Sequence, residues 1–175
     1  NVNDDFESLR QRWYNATVTS RRLAHDDLFV IRVRMDSGRL EFTPGQYTVL
    51  GLGPWERRID GVASNWPPPE PVAKPLIRRA YSISCQVLND QQELAPCGQT
   101  DELEFFIALV TRPSDTPPML TPRLFLLQEG DRLHVGTRAH GDYTLEPVQP
   151  ADAVVFLATG TGEAPHNAMI TQLLS

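Results

Sequence analysis

Residues 78–84 read Arg-Arg-Ala-Tyr-Ser-Ile-Ser, close behind a proline-rich stretch. A strand that only filled a core would alternate apolar and polar residues, with no need for a cation beside an aromatic beside a hydroxyl. A guanidinium holds a phosphate through forked, charge-assisted hydrogen bonds, a phenol ring stacks on a flat heterocycle, and a serine hydroxyl bonds to a ring nitrogen. Arg79, Tyr81 and Ser82 carry these three groups. In an extended strand Arg79 and Tyr81 share one face and Ser82 takes the other, so a single ligand touching all three must lie along the strand's end or edge. The same letters also suit an exposed strand with a solvated arginine.

Two further stretches offer related chemistry. In Leu-Thr-Pro-Arg-Leu, residues 120–124, Thr121 can cap a helix and Pro122 suits its first turn. The unpaired amides and partial positive charge of such a start can seat a pyrophosphate, although an ordinary capped helix has the same sequence. Thr-Gly-Thr-Gly-Glu-Ala-Pro, residues 159–165, follows an apolar run and opens a helical pattern, where glycines let backbone approach a phosphate. It lacks the GxGxxG spacing, and a tight strand-to-helix connection explains the glycines as well.

The elements that must position these residues follow from pattern. Phe29, Ile31, Val33 and Met35 alternate along residues 28–35, a half-buried antiparallel strand. Residues 39–52 form another strand region, broken at Pro44-Gly45. Residues 53–75 hold six of the fifteen prolines and show neither period, so they read as a long surface loop. Residues 77–88 and 102–110 are the next strands, in an order that is meander-like. Residues 119–131 form a short helix capped by Thr121 and ended by Gly130, and residues 132–146 supply one or two more strands. Six or more short strands with turns between them suggest a small antiparallel barrel. Beyond residue 150 the character changes. Residues 153–158 are apolar on both faces, as in a covered parallel strand, and residues 166–174 place Met169 and Leu173, and Ile170 and Leu174, four apart on a helix. The linker lies near residues 145–150.

Bulk properties bound the function. With 175 residues, 41% hydrophobic, the chain can bury one good core. A net charge of -6 argues against a general nucleic-acid binder. Two cysteines, Cys85 and Cys97, make no disulfide framework and no metal cluster, and free thiols in a reducing cytoplasm are expected. No apolar run approaches the roughly 18 residues of a membrane span. The first residues lack the apolar middle of a signal peptide. The absent initiator Met and the end inside a helical pattern suggest a piece of a longer chain.

Along nearly its whole length the chain resembles the ferredoxin–NADP reductase family, bacterial type. Residues 42–52 resemble the family's PGQ(Y/F) segment, 79–84 its RxYS motif, 103–110 its strand beside the flavin and 120–124 its pyrophosphate helix. Residues 141–146 resemble its G-aromatic-x-L turn and 157–165 its nicotinamide-nucleotide turn. The resemblance implies an all-β Greek-key antiparallel barrel with one short helix as the FAD-binding domain, residues 1–150, then the first βα unit of an α/β NADP-binding domain, residues 151–175.

It further implies that Arg79, beside Ala80, binds the FAD phosphates, that Tyr81 stacks on the flavin, and that Ser82 bonds near its reactive N5. Phe106, Ile107, Ala108 and Leu109 would line FAD mainly through backbone, and Met119, Leu120 and Thr121 would hold the pyrophosphate. Thr161 would approach the flavin, while Gly160, Gly162 and Pro165 shape the NADP pyrophosphate site. Glu163 departs from the pattern, setting a negative charge where the family usually has a small or apolar residue. The implied reaction is electron transfer between NADPH and a one-electron carrier such as ferredoxin or flavodoxin. A flavin reductase component serving an oxygenase or other acceptor, and a non-catalytic FAD-binding module, stay open on the same residues.

Overall fold

The computed structural model describes residues 2–59, 75–89, 91–98, 100–109 and 118–175, the first three of these by backbone alone. Most of the proline-rich loop expected at 53–75 lies outside the described residues. The elements run α1 (Val2–Trp13), β1 (Ala16–His25), β2 (Leu28–Met35), β3 (Tyr47–Leu52), β4 (Ile77–Ser82), β5 (Glu102–Ala108), α2 (Thr121–Leu124), β6 (Arg132–Val135), a 3-10 turn (Gly160–Gly162) and α3 (Glu163–Leu174). Among the described residues no helix is long and apolar enough to cross a membrane.

The six strands form one antiparallel sheet in the order β4-β3-β6-β1-β2-β5. This corrects the meander expectation. β2 pairs with β5, not with β3, and β6 inserts between β3 and β1. The reason lies in facing residues: Val30 stands opposite Phe106 and Arg32 opposite Glu104, so apolar and charged pairs match across β2 and β5. Beyond β4, Ser84 makes a single antiparallel bridge to Glu104 of β5.

The alternation in β2 is observed as expected. Phe29, Ile31, Val33 and Met35 are buried, facing Leu103, Phe105 and Ile107 of β5 in the same core. Leu120, Leu124 and Phe125 close this core, with the Phe125 ring edge-on to Phe29 at 4.7 Å between centroids. Full burial of such a side chain contributes about 1.5–3 kcal/mol, so the core dominates the energetics.

Helix α1 falls on residues for which the sequence suggested no element. Its signal is the spacing of Phe6, Leu9 and Trp13, three and four apart and all half-buried, as is Arg10. Arg10 anchors it, donating to Glu56 from Nε at 2.9 Å and Nη2 at 2.8 Å. Tyr14 follows, donating its hydroxyl to Glu56 and accepting from the Gly53 amide. Burial pushes the Glu56 carboxyl up, yet the bonds from Arg10 and Tyr14 hold it below the usual carboxylate range.

Candidate functional site

Among the described residues β4 lies at one end of the strand order and pairs only with β3, with Leu50 opposite Arg79, Thr48 opposite Tyr81 and Tyr47 opposite Ser82. Arg79 and Ala80 are exposed, and Tyr81 and Ser82 are half-buried. Arg79 donates from Nη1 to the neighbouring Arg78 carbonyl at 2.8 Å and makes no ion pair among the described residues, which leaves its charge for a ligand. Tyr81 leans on the core, and burial pushes its phenol up to about 12, the Arg79 charge opposing that rise.

The exit from β4 is pinned on two sides. The Ile83 amide donates to the Gln46 carbonyl at 3.0 Å, and the Ser84 amide donates to the Glu104 carbonyl at 2.8 Å. Gln46 in turn donates from Nε2 to the Gly141 carbonyl at 3.2 Å, so the PGQ turn, the β4 exit and the Gly141 turn form one hydrogen-bonded unit. Gly45 and Gly141, with φ of +102° and +104°, adopt backbone that other residues rarely take.

At α2 the capping expectation needs correction. Leu120, not Thr121, is the N-cap, and its backbone is already helical, so Thr121 is the first helical residue. The Arg123 and Leu124 amides, which a capping Thr121 would have to engage, both donate to the Leu120 carbonyl, at 2.9 Å and 3.0 Å. Among the described residues the buried Thr121 hydroxyl oxygen has no hydrogen-bond partner. The helix ends at Leu124 rather than at Gly130, which sits in a later turn with φ of +90°. Arg123 ties this segment down: it donates from Nη1 to the Met119 carbonyl at 2.6 Å and from Nη2 to the Pro54 carbonyl at 3.0 Å.

Residues 153–158 form no strand, correcting the covered parallel strand expected there. A parallel strand needs at least one hydrogen-bonded neighbour and helices over its faces, and among the described residues no strand lies beside it. Val155 and Leu157 are 78% and 86% exposed. The helix does form. Its first turn packs Ala164 against Val30 and Phe106 on the outer face of β2 and β5, and the Gly160–Gly162 turn contacts β5. Thus Phe106 lies under α3, Ile107 is in the core, and Ala108 and Leu109 are half-buried. Thr161 is half-buried in the turn, Gly160 and Gly162 are exposed, Glu163 is exposed and Pro165 is buried.

The free-thiol expectation is overturned as well. Cys85 and Cys97 form a disulfide, with Cα atoms 5.7 Å apart. The intervening residues double back as a small hairpin, with Leu88 bridged to Leu94 and the Ala95 amide on the Val87 carbonyl, which brings the two ends together. Both sulfurs lie 3.3 Å from the buried Thr171 hydroxyl of α3.

The structure therefore brings β5 and the Gly160–Gly162 turn together, and sets β4 beside them through Ser84. Among the described residues no hydrogen bond joins β4 directly to α2 or to that turn. The sequence reading assigned no role to His166, nor to Glu104, Arg123 and Tyr143, although these three lie in matched stretches. Tyr143 and His166 are hydrogen-bonded at 2.9 Å, hydroxyl to Nε2, with the Phe156 ring 4.9 Å from the imidazole.

The fold is similar to the FAD/NAD-binding domain of a nitric oxide dioxygenase from Vibrio cholerae, with a TM-score of 0.65 at 18% identity, over 92% of this chain and 56% of that one. It is also similar to a ferredoxin–NADP reductase from Neisseria gonorrhoeae solved with bound FAD and NADP, with a TM-score of 0.56 at 24% identity, over 89% and 49%. In sequence, the chain is 31% identical over 158 residues to a flavodoxin/ferredoxin–NADP reductase of Escherichia coli, covering 90% of this chain and 49% of that protein. It is 32% identical over 157 residues to a ferredoxin–NADP reductase of Pseudomonas aeruginosa, covering 90% and 47%. No protein-family model matches. Over nine-tenths of its length the chain is similar in sequence to ferredoxin–NADP reductases. It spans about half the length of the curated relatives it matches.

Proposed function

We propose that this chain is the FAD-binding part of a ferredoxin–NADP reductase, together with the opening of its NADP-binding part. The observation that carries the reading is β4: an arginine that is exposed and makes no ion pair among the described residues, a half-buried tyrosine and a serine at the strand's exit. The donor set fits a flavin nucleotide. Among the described residues the Arg79 guanidinium bonds only the Arg78 carbonyl and the buried Thr121 hydroxyl has no partner, and the glycine turn contacts β5.

When bound, FAD would supply hydride exchange with a nicotinamide and single-electron exchange with a carrier. The chain's own residues would place it. Arg79 and the Met119–Thr121 segment would hold the phosphates, Tyr81 would stack on the ring, Ser82 would bond at its edge, and residues 106–109 would line it. Gly160, Thr161, Gly162 and Pro165 would shape the nicotinamide side, with Glu163 tempering its affinity for phosphate. NADPH and a ferredoxin or flavodoxin would be the partners, in the cytoplasm. We read the sheet as a barrel drawn toward closure at the Ser84–Glu104 bridge, with the domain boundary near residue 150.

A visible absorption spectrum of the purified protein tests the reading. A flavin spectrum, or its appearance on titration with FAD, is expected; a colourless protein that takes up no added FAD overturns it.

A further inference from the structure

We infer that Glu104 is a positioning residue that fixes the width of the flavin slot by clamping the exit of β4 to β5. The inference rests on the FAD reading above and names the side chain that sets the geometry of that site. Glu104 is 7% exposed and Ser84 is 1% exposed. Glu104 accepts from the Ser84 hydroxyl through Oε1 at 3.2 Å and from Arg32 Nε through Oε2 at 3.1 Å, while its carbonyl accepts the Ser84 amide at 2.8 Å. One residue thus grips Ser84 by backbone and by side chain.

The place of that grip matters. Ser84 lies two residues beyond Ser82, and Glu104 lies two residues before Phe106, so the clamp joins the two segments that would flank the flavin ring. On the other flank the Ile83 amide is held by the Gln46 carbonyl. The stretch from Ser82 to Ser84 is therefore set from both sides. Arg32, directly opposite Glu104 in the register, balances the carboxylate's charge, and a buried carboxylate with both oxygens engaged has one stable orientation. Loss of the clamp would let the β4 exit drift from β5, which costs precise placement at the ring while leaving the phosphate end alone.

The test uses FAD, riboflavin and ADP as probes of the two ends of the site, with Glu104→Gln, Glu104→Ala and Ser84→Ala. Glu104→Ala is expected to weaken FAD and riboflavin about tenfold or more, the size set by one hydrogen bond to a charged group. It should also change the visible circular dichroism of bound flavin and leave ADP affinity unchanged. Glu104→Gln, which keeps both acceptor and shape, should restore most of the affinity. Ser84→Ala should reproduce the spectral change with a smaller affinity loss, and the double variant should be no worse than Glu104→Ala, because the two act as one unit. If Glu104→Ala fails to fold, Ser84→Ala alone decides. Wild-type protein that binds FAD, with Ser84→Ala unchanged in affinity and dichroism, overturns the clamp and spares the FAD reading. Equal losses for ADP and riboflavin overturn it too, since they report general disorder. Wild-type protein that binds no FAD overturns both.

Discussion

A Cβ built on Gly45 would land on the carbonyl oxygen of Tyr143, with the methyl of Met169 beside it at 2.5 Å. The PGQ turn, the Gly141 turn and α3 thus meet at a point where only glycine fits. Gly38, with φ of +85°, has open space around it and serves as the control. Gly38→Ala is expected to cost only the left-handed backbone penalty, about 1–2 kcal/mol. Gly45→Ala should cost that and about 1–3 kcal/mol more for the overlap. Urea unfolding of the two variants checks the difference, and equal midpoints would refute the close approach.

Arg79 is exposed and, among the described residues, bonded only to the carbonyl of its chain neighbour, so its removal should leave the fold intact. Arg79→Ala is expected to weaken FAD by about 1.5–3 kcal/mol, roughly 10- to 150-fold, as for one charge-assisted hydrogen bond. Fluorescence titration measures it beside a melting curve. An unchanged dissociation constant would make Arg79 a solvated surface residue.

The disulfide predicts a chemical result. Thiol titration of the untreated, unfolded protein should find no free thiols, and reduction should release two. A loop of this size makes the reduced protein less stable by up to about 3 kcal/mol. Because both sulfurs touch Thr171, amide exchange in α3 should rise on reduction more than in β1 or β2. Two thiols before reduction would exclude the bond.

The strands were legible where alternation is strong. Phe29 through Met35 gave β2, because one face packs on the core while the other carries Arg32 and Arg34 beside Val30, which α3 covers. The RxYS strand and the helix after residue 163 were legible for similar local reasons. Pairing was not. Nothing within residues 28–52 says that β2 prefers β5 to β3; that choice depends on Val30 meeting Phe106 and Arg32 meeting Glu104, seventy residues apart in sequence or more. Cys85 and Cys97 were misread because redox setting was inferred from their number, whereas the hairpin between them decides their distance. Thr121 was misread as a cap because the letters fit, yet the cap depends on the backbone of Leu120, which only the fold determines. Glu104 and Ser84 lie inside two of the matched stretches but were given no role there: that role arises from a bridge between strands not adjacent in sequence.

Tyr81 offers a pH test. Burial raises its phenol from the ordinary value near 10 to about 12. The folded state therefore keeps the proton that the unfolded chain releases more easily, so this contribution is full below about pH 10 and is lost as pH rises toward 12. Tyr81→Phe should remove that slope. Tyr14, also raised by burial, is present in both proteins and cancels in the comparison. Stability measured by denaturant from pH 9 to 11.5 should fall more steeply for wild type than for the variant. Parallel curves would mean that Tyr81 is more solvated than its packing indicates.

The last prediction concerns turnover. The glycine turn at 160–162 can offer backbone donors to a nucleotide, but among the described residues the run before it pairs with no strand, and Val155 and Leu157 stand in solvent. In an open parallel sheet a nucleotide binds at the strand ends, in a crevice formed by neighbouring strands. With no such neighbours, the 175-residue chain should bind FAD yet reduce an artificial acceptor with NADPH only at a negligible rate. A chimera continuing after Ser175 with the C-terminal half of the Escherichia coli relative should gain turnover and should also bury Val155 and Leu157, read as reduced binding of a hydrophobic dye. Both proteins, loaded with FAD to the same occupancy, would be assayed per flavin. Equal rates would show that the sheet with this short extension already holds the nicotinamide, and the argument from the uncovered run would fail.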